Sequence, residues 1–219
     1  MNHLVIDLEM CEVPRNYRSE KYKYANEIIQ IGAVLLDETF QRIDTYNQFV
    51  CPEHGVINNY ITNLTGIRQK QVKKAPKLQN VLQNMLKWVG NRSYKVYAWS
   101  DNDYIQLCHE INNKKIEGEC IAEFMNPSRW IDYQKVFSKR YQFDRNIGLE
   151  ETLMLCEVDV QGRMHDGLFD AINTAEIIRI LETDACFQLI NYTQEGGRES
   201  KALNFCLGDL LSGLQLQCA

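Results

Sequence analysis

Apolar and polar positions follow one period at the start of the chain and another after about residue 78. "HLVIDLE" is a short apolar run that ends in acids and predicts a first strand, and "EIIQIGAVLL" predicts a second. Asp37-Glu38 marks a turn, and "RIDTYNQFV" returns with partial alternation, so this part predicts an antiparallel meander of three strands. In "LQNVLQNMLKWVG", Leu78, Val81, Leu82, Met85 and Leu86 recur on one helical face, and Gly90 stops the helix. "KVYAW" predicts a short strand, with helical "YIQLCHEINN" after it. "RWIDY" predicts a further short strand before the helical "YQKVFSKRY". Helices follow at "GLEETLMLC" and "DGLFDAINTAEIIRIL". Strands first, then strands alternating with helices, predict an α/β fold with a mixed central sheet flanked by helices.

Composition adds limits. The chain has 219 residues, 45% of them hydrophobic, enough for one domain with a substantial core. No linker interrupts it before about residue 184. The expectation is one domain over residues 1–184 and a C-terminal extension, 185–219, packed on the same domain. That extension holds Gly196-Gly197 and the apolar set Leu207, Leu210, Leu211 and Leu214. No apolar run approaches the roughly 20 residues of a membrane span, and no secretory leader is visible. Eight cysteines without a C-x-x-C pair read as reduced thiols, which predicts a cytoplasmic protein. A net charge of −5 argues against a tight non-specific nucleic-acid binder but not against an enzyme that acts on one. The run "RQKQVKKAPK", with Arg68, Lys70, Lys73, Lys74 and Lys77, reads equally as a basic patch and as a solvated face.

The chemistry is in the acids. Asp7 and Glu9 are two apart on a strand, so they project from the same face, and two such carboxylates repel each other, the more so when buried. Divalent cations, which prefer hard oxygen ligands, would justify the pair. "YAWSDNDYIQL" leaves a strand and enters a helix through Asp101 and Asp103. "HDGLFDAINTA" sets His165 five residues before Asp170 at a helix start. Singly, each has an ordinary explanation as a cap, a dipole partner or a surface histidine.

Together and in this order, they resemble the DEDDh family of 3′→5′ exonucleases, which have a ribonuclease-H-like fold. Asp7 and Glu9 match the D-x-E motif, Asp103 matches the second motif better than Asp101, and His165 with Asp170 matches H-x4-D. "ITNLTGIRQKQVKKAP" and "VLQNMLKWVG" are similar to the loop and helix of one subgroup, the Eri-type exoribonucleases and the bacterial sporulation-inhibitor-like exonucleases. The similarity covers about residues 3 to 183. An RNA affinity supplied by an accessory helical module, such as some Eri-type proteins carry, is not expected.

The resemblance implies a carboxylate nest of Asp7, Glu9, Asp103 and Asp170 holding two divalent cations, Mg²⁺ or Mn²⁺, roughly 3.5–4 Å apart, with His165 as general base. It implies a substrate of RNA or single-stranded nucleic acid with a free 3′ end, released as 5′-mononucleotides. Met10 and Leu8 would line the wedge for the terminal base, Met10 being favoured by its strand face. The turn Leu64, Thr65, Gly66 and Ile67 would close on the other side of that base. Trp99 could stack a base, but core packing is favoured for it. A deoxyribonuclease or proofreading-like enzyme would carry the same carboxylates. A nucleic-acid-binding module that had lost catalysis would show a broken acid set, whereas all five residues are present. "HD" at His165-Asp166 also opens a phosphohydrolase motif, but His3, His54 and His109 stand on no ligand spacing. The sequence sets no oligomeric state.

Overall fold

The computed structural model describes residues 1–18 and 22–190. A five-stranded sheet runs in the order β3-β2-β1-β4-β5. Strands β1 (Asn2–Glu12), β2 (Asn26–Leu36) and β3 (Arg42–Phe49) form the antiparallel meander, and β4 (Tyr94–Ala98) and β5 (Trp130–Asp132) extend it in parallel. This is the mixed, helix-flanked sheet expected from the sequence. Successive strands move away from β1 in opposite directions, so a topological switch point lies between β1 and β4, where α/β sheets open crevices for ligands.

Two apolar layers cover the sheet. Leu4, Ile6 and Leu8 of β1 face α3 (Leu78–Val89), α5 (Glu119–Phe124) and Leu107 of α4 (Asn102–Lys114). Val5, on the other face of β1, packs with α6 (Tyr133–Arg140), α7 (Leu149–Leu155) and α8 (Gly167–Thr183). The strand period of two thus hands alternate β1 residues to different helices. Val81, Leu82 and Met85 form the buried stripe of α3, which stops at Gly90 with φ +69°.

A third, smaller cluster differs from the sequence reading. The "ITNLTGIRQKQVKKAP" stretch, expected as a loop, contains helices α1 (Asn59–Thr65) and α2 (Gln69–Val72). Ile61, Ile67 and Val72 from this stretch pack against Cys11 of β1 and Ile29 of β2. Asn58 caps α1 by accepting the Ile61 N–H at 2.9 Å.

The C-terminal half of α4 is tied to β2 by buried charge. Lys114 donates to Glu27 at 2.7 Å and to Glu110 at 2.6 Å. Glu27 also accepts the N–H groups of Glu53, His54 and Gly55, and Glu110 accepts that of Ile28. Burial alone would raise Glu27, but Lys114 and the backbone donors reverse this and hold its carboxyl below the usual range. Such a network is costly to break from one side, because the remaining charge stays buried.

Residues 185–190 return to the core, where Leu189 is buried and Ile190 donates its N–H to Leu155. The rest of the expected extension, 191–219, lies outside the described residues. Among the described residues no helix is long and apolar enough to cross a membrane, and the six cysteines are free.

Candidate active site

Strand β1 outruns its parallel neighbour. It pairs with β4 only from Asn2 to Val5, yet continues to Glu12. The N-terminus of α4 enters the gap, and Asp103 accepts the Leu8 N–H at 3.1 Å on the edge that β4 has left. Asp101, two residues earlier, turns away and pairs with exposed Lys135 at 2.6 Å. The doublet is therefore divided, one acid in the cleft and one at the surface.

Helix α8 closes the other side. Asp7 pairs with Gly32 across the β1–β2 ladder, and Gly32 lies directly against the α8 N-terminus. A Cβ on Gly32 would sit 2.1 Å from the Gly167 carbonyl, so glycine is what lets helix and sheet backbones meet. Gln30 seals this contact: its Oε1 accepts the Gly167 N–H at 3.1 Å and its Nε2 donates to Asp166, the α8 N-cap, at 3.2 Å. The approach brings Asp170, in the first turn of α8, to the face of β1 that carries Asp7 and Glu9.

The result is a cleft of about 770 Å³ whose lining includes Asp7, Leu8, Met10, Asp103, His165 and Asp170. Glu9 stands beside it, and its carboxylate, the His165 ring and the Asp170 carboxylate offer ligand atoms within 4.8 Å of one another. His165 is exposed, with φ +62°, and its backbone N–H donates to Asp170 Oδ2 at 2.8 Å. Asp170 Oδ1 is buried without a hydrogen-bond partner.

Burial, then mutual repulsion, dominates the electrostatics. Asp7 is raised well above the carboxylate range by burial and by Asp103, Asp170 and Glu9. Glu9 is raised to about 8 by burial and by Asp170 and Asp103. Burial lifts Asp103 to about 7 against the pull of the Leu8 N–H, and lifts Asp170 to about 6 against that of His165. Among the described residues, no lysine or arginine lines the cleft to offset them. The donor set is oxygen-rich, crowded and short of positive charge, and one oxygen is unpaired. That chemistry fits hard divalent cations.

The other expected contacts divide. Leu8 and Met10 both line the cleft, and both sit on the strand face opposite Asp7, so the expected preference for Met10 by strand face does not hold: residues two apart share a face. Leu64, Thr65, Gly66 and Ile67 do not line it. Thr65 and Ile67 point into the small core cluster, where the Thr65 hydroxyl binds the Ile61 carbonyl and the Ile67 N–H. Trp99 is among the cleft-lining residues but is buried, with its indole N–H donated to the Ile147 carbonyl at 3.2 Å. Arg68, Lys70, Lys73, Lys74 and Lys77 are all exposed. The sequence reading missed Gln30 and Gly32. A glutamine and a glycine inside an otherwise apolar strand were the available signals.

The chain matches the exonuclease family (RNase_T) over residues 4–178. It is 30% identical over 208 residues to 3'-5' exoribonuclease 1 of Rattus norvegicus, covering 89% of this chain and 56% of that protein. It is 29% identical over 190 residues to ERI1 exoribonuclease 2 of Danio rerio, covering 76% and 33%. The chain thus spans about half the length, or less, of these curated relatives. A solved nuclease domain of 3'hExo, a DEDDh family member bound to rAMP, is 26% identical with a TM-score of 0.71, covering 85% of this chain and 94% of that one. A 3'-exonuclease in a structure of 3'-end specific recognition of histone mRNA stem-loop shares the fold at 24% identity and TM-score 0.71, covering 90% and 93%. With the family match running from β1 into α8, and both the D-x-E and H-x4-D motifs inside it, the chain belongs to the DEDDh exonucleases.

Proposed function

We propose that this protein is a 3′→5′ exonuclease that hydrolyses the terminal phosphodiester bond of short or single-stranded RNA and releases 5′-mononucleotides. The observation that carries the reading is the convergence of four carboxylates, with no cleft lysine or arginine among the described residues to balance them, beside an exposed histidine. Preference for RNA is supported by the names of the relatives, which are exoribonucleases, and by the rAMP bound to the neighbouring nuclease domain.

Asp7, Glu9, Asp103 and Asp170 would hold the cations. When bound, divalent ions such as Mg²⁺ or Mn²⁺ supply acidification of the attacking water and neutralisation of charge developing on the phosphoryl oxygens. The protein residues do the rest. His165 takes the proton of the water as general base, its placement fixed by the backbone bond to Asp170. Asp103 keeps one oxygen on the Leu8 N–H, which orients its carboxylate toward the cleft. Met10 and Leu8 offer apolar surface to the terminal base, and Tyr24 and His109, stacked at 4.0 Å on the same cleft wall, extend it. The raised carboxyl groups release protons as cations bind, so metal affinity rises with pH.

The test presents purified protein with matched 5′-labelled single-stranded RNA and DNA in Mg²⁺, Mn²⁺ or EDTA, with Asp7→Ala alongside. A metal-dependent ladder shortening from the 3′ end, absent in Asp7→Ala and faster on RNA, is expected. A ladder faster on DNA would transfer the same chemistry to a deoxyribonuclease. Intact label in every lane, from folded protein that still retards the strands, would leave only nucleic-acid binding.

A further inference from the structure

The loop that carries His165 is held at its base by the helix it feeds. Gln161 donates its N–H to Asn173 Oδ1 at 2.8 Å, and Asn173 Nδ2 donates back to the Gln161 carbonyl at 3.1 Å. Gly162, at φ +68°, lies so near Phe169 that a Cβ would sit 2.2 Å from the ring. Further on, the His165 N–H is fixed by Asp170. Arg163 stands between these anchors and reaches elsewhere. Its guanidinium donates to the Leu64 carbonyl at 3.1 Å and to that of Asn63, about a hundred residues back in the chain. Those carbonyls lie in the last turn of α1, where helical acceptors lack partners. The receiving turn is shaped for the contact: Gly66 takes φ +79°, and a Cβ there would come within 2.6 Å of Arg163 Nη1.

We propose that Arg163 is a positioning residue, latching the His165 loop to the C-terminal turn of α1 and so setting where the imidazole meets the cleft. The proposal rests on the exonuclease reading above. Among the described residues no hydrogen bond holds the His165 ring, so its placement depends on the backbone. That backbone is left-handed at a non-glycine residue, a strained conformation that persists only when its surroundings fix it. Both bonds leave one nitrogen, Nη2, whose N–H groups are held in the guanidinium plane and provide such a fixture; a lysine ammonium carries enough donors but turns freely on its stem. Helix α1 is anchored in turn by Ile61, which packs in one cluster with Cys11 of β1, and the Thr65 hydroxyl bonds back to the Ile61 carbonyl. A mechanical path therefore runs from the acid-bearing strand through α1 and Arg163 to the base. Leu64–Ile67 acts on the chemistry through this path rather than by lining the cleft.

The test measures kcat and KM on labelled RNA for Arg163→Ala, Arg163→Lys, His165→Ala and the Arg163→Ala/His165→Ala double variant, with hydrogen exchange over residues 63–67 and 161–166. Arg163→Ala should lower kcat by about 10- to 100-fold, as expected of a displaced catalytic group, with KM within about twofold. Arg163→Lys should recover only part of this. In the His165→Ala background, removing Arg163 should cost nothing more, because its effect passes through the histidine. Exchange should accelerate in both segments. An equal loss in both backgrounds, or a raised KM at unchanged kcat, would mean that the guanidinium contacts RNA directly and would overturn the latch. Unchanged exchange would overturn it as well. If the wild-type protein cleaves no RNA, the exonuclease reading fails by itself, and the exchange arm still decides whether Arg163 couples the two segments.

Discussion

Replacing Glu9 by glutamine should make the metal-free protein more stable while disabling it as a nuclease. Glu9 is 8% exposed, and burial followed by repulsion from Asp170, Asp103 and Asp166 pushes its carboxyl up to about 8. A group raised in this way keeps its proton in the folded protein at pH values where the unfolded chain has released it. Its stabilising contribution is complete below the unfolded value of 4.5 and is lost as pH rises through about 8. At about 1.36 kcal/mol per unit, the loss approaches roughly 5 kcal/mol above that range and is roughly 3 kcal/mol at about pH 7. Glutamine has the shape of the protonated acid and no proton to lose. For a chain of this size, at about 2–4 °C per kcal/mol, Glu9→Gln in EDTA should melt roughly 6–12 °C above wild type at about pH 7. The gap should widen towards pH 8 and close near pH 4.5. Thermal unfolding followed by circular dichroism across this range measures it, and Mg²⁺ should narrow the gap by stabilising wild type more. A variant that melts at or below wild type near pH 8 without metal would refute the claim that uncompensated carboxylates strain this cleft.

Four further outcomes are expected. His165→Ala should reduce kcat by about 10²–10⁴-fold while leaving the Mg²⁺-dependent rise in Tm in place, since the four acids remain. Asp101→Asn should keep activity within about twofold, because it gives up only an exposed pair with Lys135, whereas Asp103→Asn should abolish turnover in the same assay. Gly32→Ala should cost about 3 kcal/mol or more in a urea titration, because the new methyl group meets the Gly167 backbone rather than a movable side chain. Lys114→Met should cost about 3–5 kcal/mol by the same titration, as it strands Glu27 and Glu110 without their shared cation.

Much of this architecture was legible along the chain. Strands β1 to β4 and helices α3, α4 and α8 carry enough periodic residues to declare themselves, and Asp103 and Asp170 stand at the helix starts expected of them, whereas β1 runs on past Asp7 and Glu9 to Glu12. Helices α1, α2 and α5 were not read, because four to seven residues make too few turns for a helical period to stand out; α7 is as short, but its run of Leu149, Leu153 and Leu155 after Gly148 marked it. Asn58 ahead of Ile61, as a cap, and Gly66 at the other end were the local signs of α1. The contacts that hold the cleft in shape are long-range. Gln30 meets Asp166 and Gly167 about 136 residues on, Lys114 meets Glu27 across 87, and Arg163 meets Leu64 across 99. No spacing rule links such partners, since they are brought together by sheet order and helix packing. The turn at Leu64–Ile67 shows the same limit. Its residues were visible, but that two of them face inward became clear only with the fold.

Diffraction from crystals grown with Mn²⁺ and a 3′-terminal nucleotide, recorded for anomalous signal, tests the central claim most directly. Peaks among Asp7, Glu9, Asp103 and Asp170, with the sugar-phosphate against His165, are the predicted result. Ordered nucleotide in the cleft with no anomalous peak among those four carboxylates would contradict it.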